Sequence, residues 1–349
     1  MDDVFNDSED DSYTKPILKN GKYRNPWKGY SIPSFTDVFK FLVFEKDNSN
    51  IPNKEELDKI LPVEKPDFEK LNNPPVSGIQ ALWIGHASIL VQFDGISVLA
   101  DPVFSERCSP SQWVGPKRYR PTPCTVEELP HLDAVVISHS HYDHLDYNSV
   151  RQLNAKYGDK LWWYVPMGTK LWMTEAGCNN VVELSWWEEA HHPGKENIMF
   201  ACTPTQHWSN RSPFDSNKTL WGSWVIKGPN HSFYFTGDSA YCAGFRQIGR
   251  KYGPFTLAAI PVGAYEPQKT LKYHHVNPEE AVQIHEDVKA QSSVAIHWGT
   301  FKMAWEPYLE CRQRVSDAVK NRGLTAGCFF FVNHGRVFTV GGDNMCNLD

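Results

Sequence analysis

Three histidines and two aspartates are concentrated in residues 139–146, which read His-Ser-His-Tyr-Asp-His-Leu-Asp. The apolar, β-branched run just before them predicts a buried strand that ends near the first histidine. Side chains two positions apart on an extended chain point the same way, so His139 and His141 can bind one metal ion together. Asp143 and His144 follow after a turn and face a second position nearby. Imidazole and carboxylate groups suit Zn²⁺ and related first-row metals, so the stretch predicts a metal site.

A polar loop whose histidines are satisfied by backbone groups is the simpler alternative, and for a single histidine it would be the better interpretation. Three histidines and an aspartate close together after one strand argue against it. Later in the chain, three further residues of the same types each follow a predicted strand, namely His207, Asp238 and His297. Strand ends converge at one rim of a sandwich, so this placement supports the role that the resemblance described below implies for them.

The composition is that of a large folded protein. The chain has 349 residues, 41% of them hydrophobic, and its formal net charge of −6 argues against a nucleic-acid partner. No apolar run approaches the ~20 residues of a membrane span, and the acidic N-terminus lacks the shape of a signal peptide. The eight cysteines include no Cys-x-x-Cys pair and are interpreted as reduced thiols of an intracellular protein.

Residues 1–75 are predicted to be an N-terminal tail, an amphipathic helix and a connector. Residues 15–30 are basic and aromatic, which suits either contact with anionic headgroups or a solvated tail. Apolar residues at helical spacing predict a helix over residues 35–44, which either docks on the core or faces a membrane. Residues 48–75, rich in Pro, Lys and Glu, are predicted to wrap the body as an irregular connector. The catalytic domain is predicted to occupy residues 76–349.

The pattern from residue 79 onward predicts strands, followed by alternating strands and helices, and this order occurs twice. Such alternation is typical of an α/β layered fold. A helix is expected to begin at Asn277-Pro278-Glu279-Glu280, because these residues suit an N-cap and a first turn. The basic cluster at residues 117–120 is interpreted as a solvated face.

The motif His-x-His-x-Asp-His resembles the signature of the metallo-β-lactamase superfamily. The resemblance implies an αββα sandwich, in which two mixed sheets face each other with helices outside. It also implies two zinc ions per chain, the first held by His139, His141 and His207, the second by Asp143, His144 and His297, with Asp238 bridging both. We expect Asp143 and Asp238 to be the catalytic carboxylates, and Asp101 to hold a metal-binding histidine by a hydrogen bond from behind.

Two divalent ions ~3.5–4 Å apart share a water molecule and lower its pKa toward about 7. The resulting hydroxide is the expected nucleophile, so no serine or cysteine nucleophile is needed. The same cations neutralise the charge that builds on a phosphoryl group during attack. The reaction class is therefore metal-assisted hydrolysis of a phosphodiester, an ester or a lactam.

Further segments narrow the resemblance to one family, the N-acyl-phosphatidylethanolamine-hydrolysing phospholipases D. The similar segments are Asn-Pro-Trp at 25–27, Ile-Gly-His-Ala-Ser at 84–88, Asp-Pro-Val-Phe at 101–104, Phe-Thr-Gly-Asp at 235–238, the run at 272–282 and Ala-Ile-His-Trp-Gly-Thr-Phe at 295–301. The resemblance implies a membrane phospholipid substrate, cleaved to a fatty-acid ethanolamide and phosphatidic acid. It assigns substrate contacts to Tyr142 and His275. His275 also precedes a predicted helix, and helix N-termini favour anions such as phosphate.

Three other interpretations remain open. A di-iron oxidoreductase of the same superfamily would carry Glu at the position of His141 and a flavin domain. A lactonase or phosphodiesterase of the superfamily would act on a soluble substrate. A non-catalytic scaffold would have lost its metal ligands, whereas this chain retains the whole set. We expect a peripheral membrane protein without a membrane-spanning helix. The oligomeric state is open, with a homodimer as one option.

Overall fold

The computed structural model describes residues 13–27, 30–31 and 47–342 of the chain. The acidic start and the helix expected over residues 35–44 lie outside these residues. Within the described part, no helix is long and apolar enough to cross a membrane.

The first large sheet contains seven strands, and most of its neighbours follow the order of the chain. Its strands are β3 (Ile79–Gly85), β4 (Ser88–Phe93), β5 (Ile96–Ala100), β6 (Ala134–Val136), β7 (Trp162–Pro166), β8 (Val181–Leu184) and β16 (Val337–Val340). The spatial order is β16-β3-β4-β5-β6-β7-β8. Pairing is antiparallel from β16 to β5 and parallel from β5 to β8. Asp94-Gly95 forms the hairpin turn that joins β4 to β5.

The second sheet repeats this mixed pattern with the later half of the chain. It contains β9 (Glu189–His192), β10 (Lys195–Thr203), β11 (Ser223–Lys227), β12 (Ser232–Phe235), β13 (Phe255–Pro261), β14 (Ala290–Ile296) and β15 (Phe329–Phe330). The order is β15-β14-β13-β12-β11-β10-β9. The strands from β12 to β15 are parallel, and helices connect them.

Alternating side chains of the first sheet pack on its two faces, as the two-residue period of a strand requires. Trp83 and Val91 belong to the core shared with Phe200 and Trp224 of the second sheet. The intervening residues of the first sheet, such as Leu82, pack outward into a second core. The helices cover these outer faces, so the predicted αββα sandwich is confirmed.

The helices of the described chain are α1 (Lys54–Ile60), α2 (Phe68–Asn72), α3 (Tyr147–Tyr157), α4 (Lys170–Glu175), α5 (Gly244–Lys251), α6 (Gln268–Leu271), α7 (Pro278–Asp287) and α8 (Glu310–Asn321). A short 3₁₀ turn, Gly158–Lys160, follows α3. Before the sandwich lies a small hairpin of β1 (Ile17–Lys19) and β2 (Lys22–Arg24). Strand β9 and helices α5 and α8 were not anticipated from the sequence.

The connector before the sandwich is more regular than we expected. Helices α1 and α2 lie in residues 48–75, and they bury Leu57 and Leu71. Tyr23 of the N-terminal hairpin is also buried in the main core. At least residues 13–27 and 47–75 are therefore packed on the body, whereas the proposed boundary at residue 75 stays a prediction.

The basic cluster at residues 117–120 is not a solvated face throughout, and this interpretation was wrong for two of its members. Arg118 and Arg120 are buried. The Arg118 guanidinium donates to the carbonyl oxygens of Ser105 and Val103, and Arg120 forms an ion pair with Asp58 at 2.8 Å. Both arginines therefore tie loops to the body.

Candidate metal centre

The residues with metal-binding side chains lie at one rim of the sandwich, where strands of both sheets end. His86 follows β3, Asp101 follows β5, and residues 139–144 come shortly after β6. From the second sheet, His207 follows β10, Asp238 follows β12 and His297 follows β14. The fold thus brings distant parts of the chain to one place, as the strand-end argument predicts.

Three of these residues hold an unusual backbone conformation. His86, Asp101 and His297 have φ of 53°, 38° and 59°, in the left-handed region that side chains other than glycine seldom adopt. Each stands immediately after a strand, where this conformation turns the chain sharply. Backbone strain of this kind clusters at functional sites, where the surrounding structure holds it in place.

The first ligand group consists of His139, His141 and His207. The His139 Nε2 and His141 Nδ1 atoms are 2.8 Å apart, and His207 Nε2 lies 3.3 Å from His141 Nδ1. Behind the group, His207 Nδ1 lies 2.9 Å from the carbonyl oxygen of His274. Since that carbonyl can only accept, His207 Nδ1 carries the proton and its Nε2 is free to bind a metal.

The second group contains Asp143, His144 and His297, together with His86, which sequence reasoning did not select. All four offer ligand atoms within one small volume, and all are buried. The Nε2 atoms of His86 and His144 lie 2.9 Å and 3.3 Å from Asp143 Oδ2. His86 stands alone in sequence, and two signals pointed to it, its position at a strand end and the motif Ile-Gly-His-Ala-Ser.

Asp238 lies between the two groups. Its Oδ2 atom is 3.1 Å from Nε2 of both His144 and His297, and 3.8 Å from His207 Nε2. The distance to His139 Nε2 is 4.0 Å. This central carboxylate approaches both sets of histidines through one oxygen atom, which is the position that a bridging ligand requires.

Asp101 supports the second group through the far ring nitrogen of His144. Its Oδ2 atom accepts from His144 Nδ1 at 2.7 Å and from the Ser138 hydroxyl at 2.5 Å, and Oδ1 accepts from the Ser138 backbone N–H. The His144 proton is therefore held on Nδ1, and Nε2 faces the ligand cluster. Asp101 therefore lies directly behind His144, and its role in holding a metal-binding histidine stays a prediction.

The side chains fit divalent metal ions. His144 Nε2 and His297 Nε2 are buried without a hydrogen bond of good geometry among the described residues, although both lie 3.1 Å from Asp238 Oδ2. Buried polar atoms in proteins normally find a partner, so two such nitrogens beside one carboxylate require another explanation. Imidazole nitrogens and carboxylate oxygens are the ligands that zinc and similar metals prefer.

The protonation states also suit metal binding. Burial lowers the pKa of His139 and His207 well below the ordinary value, so both are neutral at pH 7. Burial alone would raise the pKa of Asp238, but His144 and His297 hold it well below its usual range. Burial opposes the charge on His297, yet the carboxylates of Asp238 and Asp143 raise its pKa to about 9. The same two carboxylates that attract this proton would attract a metal cation in its place.

The two residues assigned to the substrate occupy different positions. The Tyr142 hydroxyl donates to the Arg211 carbonyl oxygen, and the Arg211 guanidinium lies 4.2 Å from the centre of the Tyr142 ring. His275 Nδ1 lies 3.8 Å from Asp238 Oδ2 and can join His207 and Asp238 as a ligand group. The structure therefore brings His275 to the metal cluster and holds Tyr142 at its edge.

The start of α7 offers less to an anion than we expected. Asn277 and Glu280 form a capping box, in which each side chain accepts from the backbone N–H of the other residue. Pro278 has no N–H to donate, and Glu279 and Glu280 already place negative charge in the first turn. The helix-end argument for phosphate binding therefore loses its support, and only the position of His275 beside the cluster remains.

Residues 97–298 match the model of a family described as a β-lactamase superfamily domain, more than half of the chain. A solved structure with a similar fold is Igni18, a metallo hydrolase from the archaeon Ignicoccus hospitalis. It superposes with a TM-score of 0.57 at 20% identity, over 75% of this chain and 98% of that one. This likeness concerns the fold.

Two curated relatives are similar over most of the chain. The N-acyl-phosphatidylethanolamine-hydrolyzing phospholipase D 1 of Caenorhabditis elegans is 40% identical over 347 residues, 95% of this chain and 96% of the relative. The mitochondrial enzyme of the same name from Saccharomyces cerevisiae is 30% identical over 352 residues, 90% of this chain and 75% of the relative.

Proposed function

This chain belongs to the family of N-acyl-phosphatidylethanolamine-hydrolysing phospholipases D, in the metallo-β-lactamase superfamily, and on that premise we propose that it cleaves N-acyl-phosphatidylethanolamine. Family membership makes it a phosphodiester hydrolase. The proposed products are a fatty-acid ethanolamide and phosphatidic acid. The observation that carries the proposal is the meeting of two buried ligand groups at one oxygen of Asp238.

We propose zinc as the metal, with two ions per chain. The first would be held by His139, His141 and His207, the second by Asp143, His144 and His297, and Asp238 would contact both. When bound, such ions activate a water molecule and neutralise the charge that develops on the phosphoryl oxygens.

The remaining residues of the centre orient these ligands. Asp101 fixes the His144 ring through the hydrogen bond to Nδ1, and the His274 carbonyl oxygen fixes the His207 ring in the same way. His86 lies within hydrogen-bond distance of Asp143 and restrains that carboxylate. His275, which is neutral because burial lowers its pKa to about 3, is the proposed contact to the substrate phosphate beside the metals.

A diacyl phospholipid stays in a membrane, so the metal centre must be reached from a lipid surface. We propose that a group of exposed apolar residues, the apolar collar, makes this contact. Its members, Trp113, Val114, Tyr147, Leu171 and Phe214, are all exposed. Trp113 and Phe214 are the most exposed aromatic residues in the described chain, at 90% and 82%. Exposed apolar area of this kind marks a site of contact with lipid or protein.

Contacts of Tyr142, which lies between the metal-ligand candidates His141 and Asp143, lead to the segments that carry the collar residues. Cys108, at the base of the loop that carries Trp113, shares a small hydrophobic cluster with Tyr142. The Tyr142 hydroxyl bonds the loop that carries Phe214, through the Arg211 carbonyl oxygen. The Arg211 side chain lies over the ring of Trp172, the neighbour of Leu171 in α4. Lipid bound by the collar would therefore lie close to the metal centre.

Product analysis tests the proposal directly. The zinc-loaded chain is incubated with vesicles that contain a defined N-acyl-phosphatidylethanolamine, and the lipids are separated and identified by mass spectrometry. The expected result is equal amounts of the fatty-acid ethanolamide and phosphatidic acid, with no activity after chelation. Release of free fatty acid instead, or hydrolysis of only water-soluble lactones and phosphodiesters, would contradict it.

A further inference from the structure

The N-terminal segment is bonded both to the body and to the connection between β10 and β11, which carries His207. Gln247 exchanges two hydrogen bonds with Thr14, and Trp187 Nε1 donates to the Thr14 carbonyl oxygen. Further along, the Tyr23 backbone N–H donates to the carbonyl oxygen of Asn217 at 2.7 Å. Residues 13–27 are thus attached to the body as a strap.

Two side chains of this strap donate to backbone carbonyls of the His207 loop. Asn25 Nδ2 donates to the carbonyl oxygen of His207 itself at 2.7 Å. Trp27 Nε1 donates to the carbonyl oxygen of Thr205 at 3.1 Å, which also accepts from Trp221. The strap therefore holds the backbone at Thr205 and at His207, and the imidazole of His207 belongs to the first ligand group.

Other residues hydrogen-bond the same loop at Gln206 and Ser209. None of these bonds uses the His207 carbonyl oxygen, which accepts from Asn25. Gln206 is fixed by Ser239 and Ala240, and Ser209 is fixed by Asn217. Within the described residues, Asn25 is the donor that reaches the His207 carbonyl oxygen. A ligand held at both its ring nitrogen and its backbone binds metal in a fixed orientation, and residues behind metal ligands often change metal affinity when they are replaced.

We propose that Asn25 and Trp27 are positioning residues for the metal ion of the first ligand group. They act through the backbone of the loop that carries His207 and contact no metal. This inference rests on the proposed metal centre, and it adds that a segment far from the ligand motifs in sequence sets the affinity of one of the two ions. In the described part of the chain, the strap's side-chain hydrogen bonds to the centre reach the His207 loop and not the second group, so the ion of the second group should be unaffected.

The alternative is that the strap contributes only packing. The Trp27 ring lies against Gly244, where an added Cβ would stand 2.9 Å from it, and its centre is 6.3 Å from that of Trp186. Trp27→Phe keeps an aromatic ring in this space and removes the N–H donor. Asn25→Ala removes the other donor, and Arg24→Ala alters the exposed neighbour of Asn25 as a matched control.

The experiment measures metal retention in the full-length holoprotein. Parent, Asn25→Ala, Trp27→Phe and Arg24→Ala proteins are equilibrated with zinc against graded chelator, and bound zinc per chain is counted by atomic spectroscopy. We expect Asn25→Ala and Trp27→Phe to lose one of two ions at about 10–100-fold lower chelator strength, with the second ion retained as in the parent. Arg24→Ala should follow the parent curve.

Two results would overturn the inference. If both donor variants keep both ions as the parent does, the strap does not position His207. If both ions are lost at lower chelator strength than in the parent, and the unfolding midpoint of the metal-free protein also falls, the strap serves general packing. The readout is independent of substrate, so a parent that binds two ions but does not cleave the lipid would refute the proposed function alone. A parent that binds no divalent metal would refute both.

Discussion

Asp238 is the residue in which the two halves of the site meet. Its Oδ2 atom lies within 4.0 Å of histidine nitrogens from both ligand groups, and Oδ1 is buried without a partner in the described chain. An amide at this position keeps the size of the side chain but removes the charge. Two cations sharing one ligand would then lose the charge that holds them together.

We therefore expect Asp238→Asn to lose bound metal and hydrolytic activity in parallel. Both are measured on the same preparation, by atomic spectroscopy and by release of the ethanolamide. Asp317→Asn, on the exposed face of α8, is the matched control and should keep both. A variant that retains two tightly bound ions and full turnover would show that Asp238 is not a bridging ligand.

His275 is the residue whose role most needs to be separated from metal binding. It lies close enough to Asp238 to act as a ligand, yet the proposed function assigns it to the substrate phosphate. If that assignment is correct, His275→Ala lowers turnover by about 10²-fold, the usual loss for one stabilising group, and leaves the metal content unchanged. His131→Ala, an exposed histidine far from the centre, should change neither quantity. A parallel loss of metal and turnover would make His275 a ligand or a fold residue.

Local spacing selected the candidate ligands at residues 139–144, because a metal cluster needs an uncommon set of side chains, and the resemblance to the superfamily selected the later candidates. The ligands after β6 share one short stretch, and the later ones each follow a strand. His86 also follows a strand, but it stands alone in sequence, and its contacts with the site come from the distant residues Asp143 and His297. Arg120 was misjudged for the same reason, since its partner Asp58 and its burial depend on how remote segments pack.

The strands were predictable because their side chains alternate or form short buried runs. The apolar run before His139 forms β6 as predicted, and the start of α7 follows its capping residues. Strand β9 was missed because it is polar and lies at an edge. The left-handed backbone of His86, Asp101 and His297 could not be predicted either, because the residues themselves disfavour it and only the assembled sheets impose it.

The start of α7 provides a test at the level of one element. The Asn277 side chain accepts from the Glu280 backbone N–H at 2.9 Å, and Glu280 returns the bond to the Asn277 backbone N–H. Asn277→Ala should lower the free energy of unfolding by about 1 kcal/mol, as loss of such a cap usually does. Urea unfolding measures the change, with Asn321→Ala at the exposed end of α8 as the control. An unchanged midpoint would mean that the capping box contributes nothing.

In the whole molecule, the metal centre, the strap and the apolar collar lie at the same rim of the sandwich. The sheets supply the ligands from their strand ends, and the loops beyond those ends supply the exposed aromatic residues. A lipid-facing surface at this rim would present substrate headgroups to the metals without any transfer across the protein. Exposed apolar residues at the opposite end of the strands would have no such role.

This comparison gives the last prediction, which concerns membrane binding. Trp113→Ser and Phe214→Ser together remove the two most exposed aromatic rings of the collar, whereas Val76→Ser removes a fully exposed apolar side chain just before β3, at the other end of the sandwich. Burying such a ring in lipid is worth about 1.5–3 kcal/mol, so the double variant should bind liposomes at least about tenfold more weakly and turn over vesicle lipid correspondingly more slowly. Because the net charge is −6, high salt should weaken binding only in part.

Co-sedimentation with liposomes measures binding, and turnover of a short-chain soluble analogue, unchanged in all variants, shows that the metal centre is intact. If the double variant sediments with liposomes as the parent and Val76→Ser do, the collar does not contact the membrane.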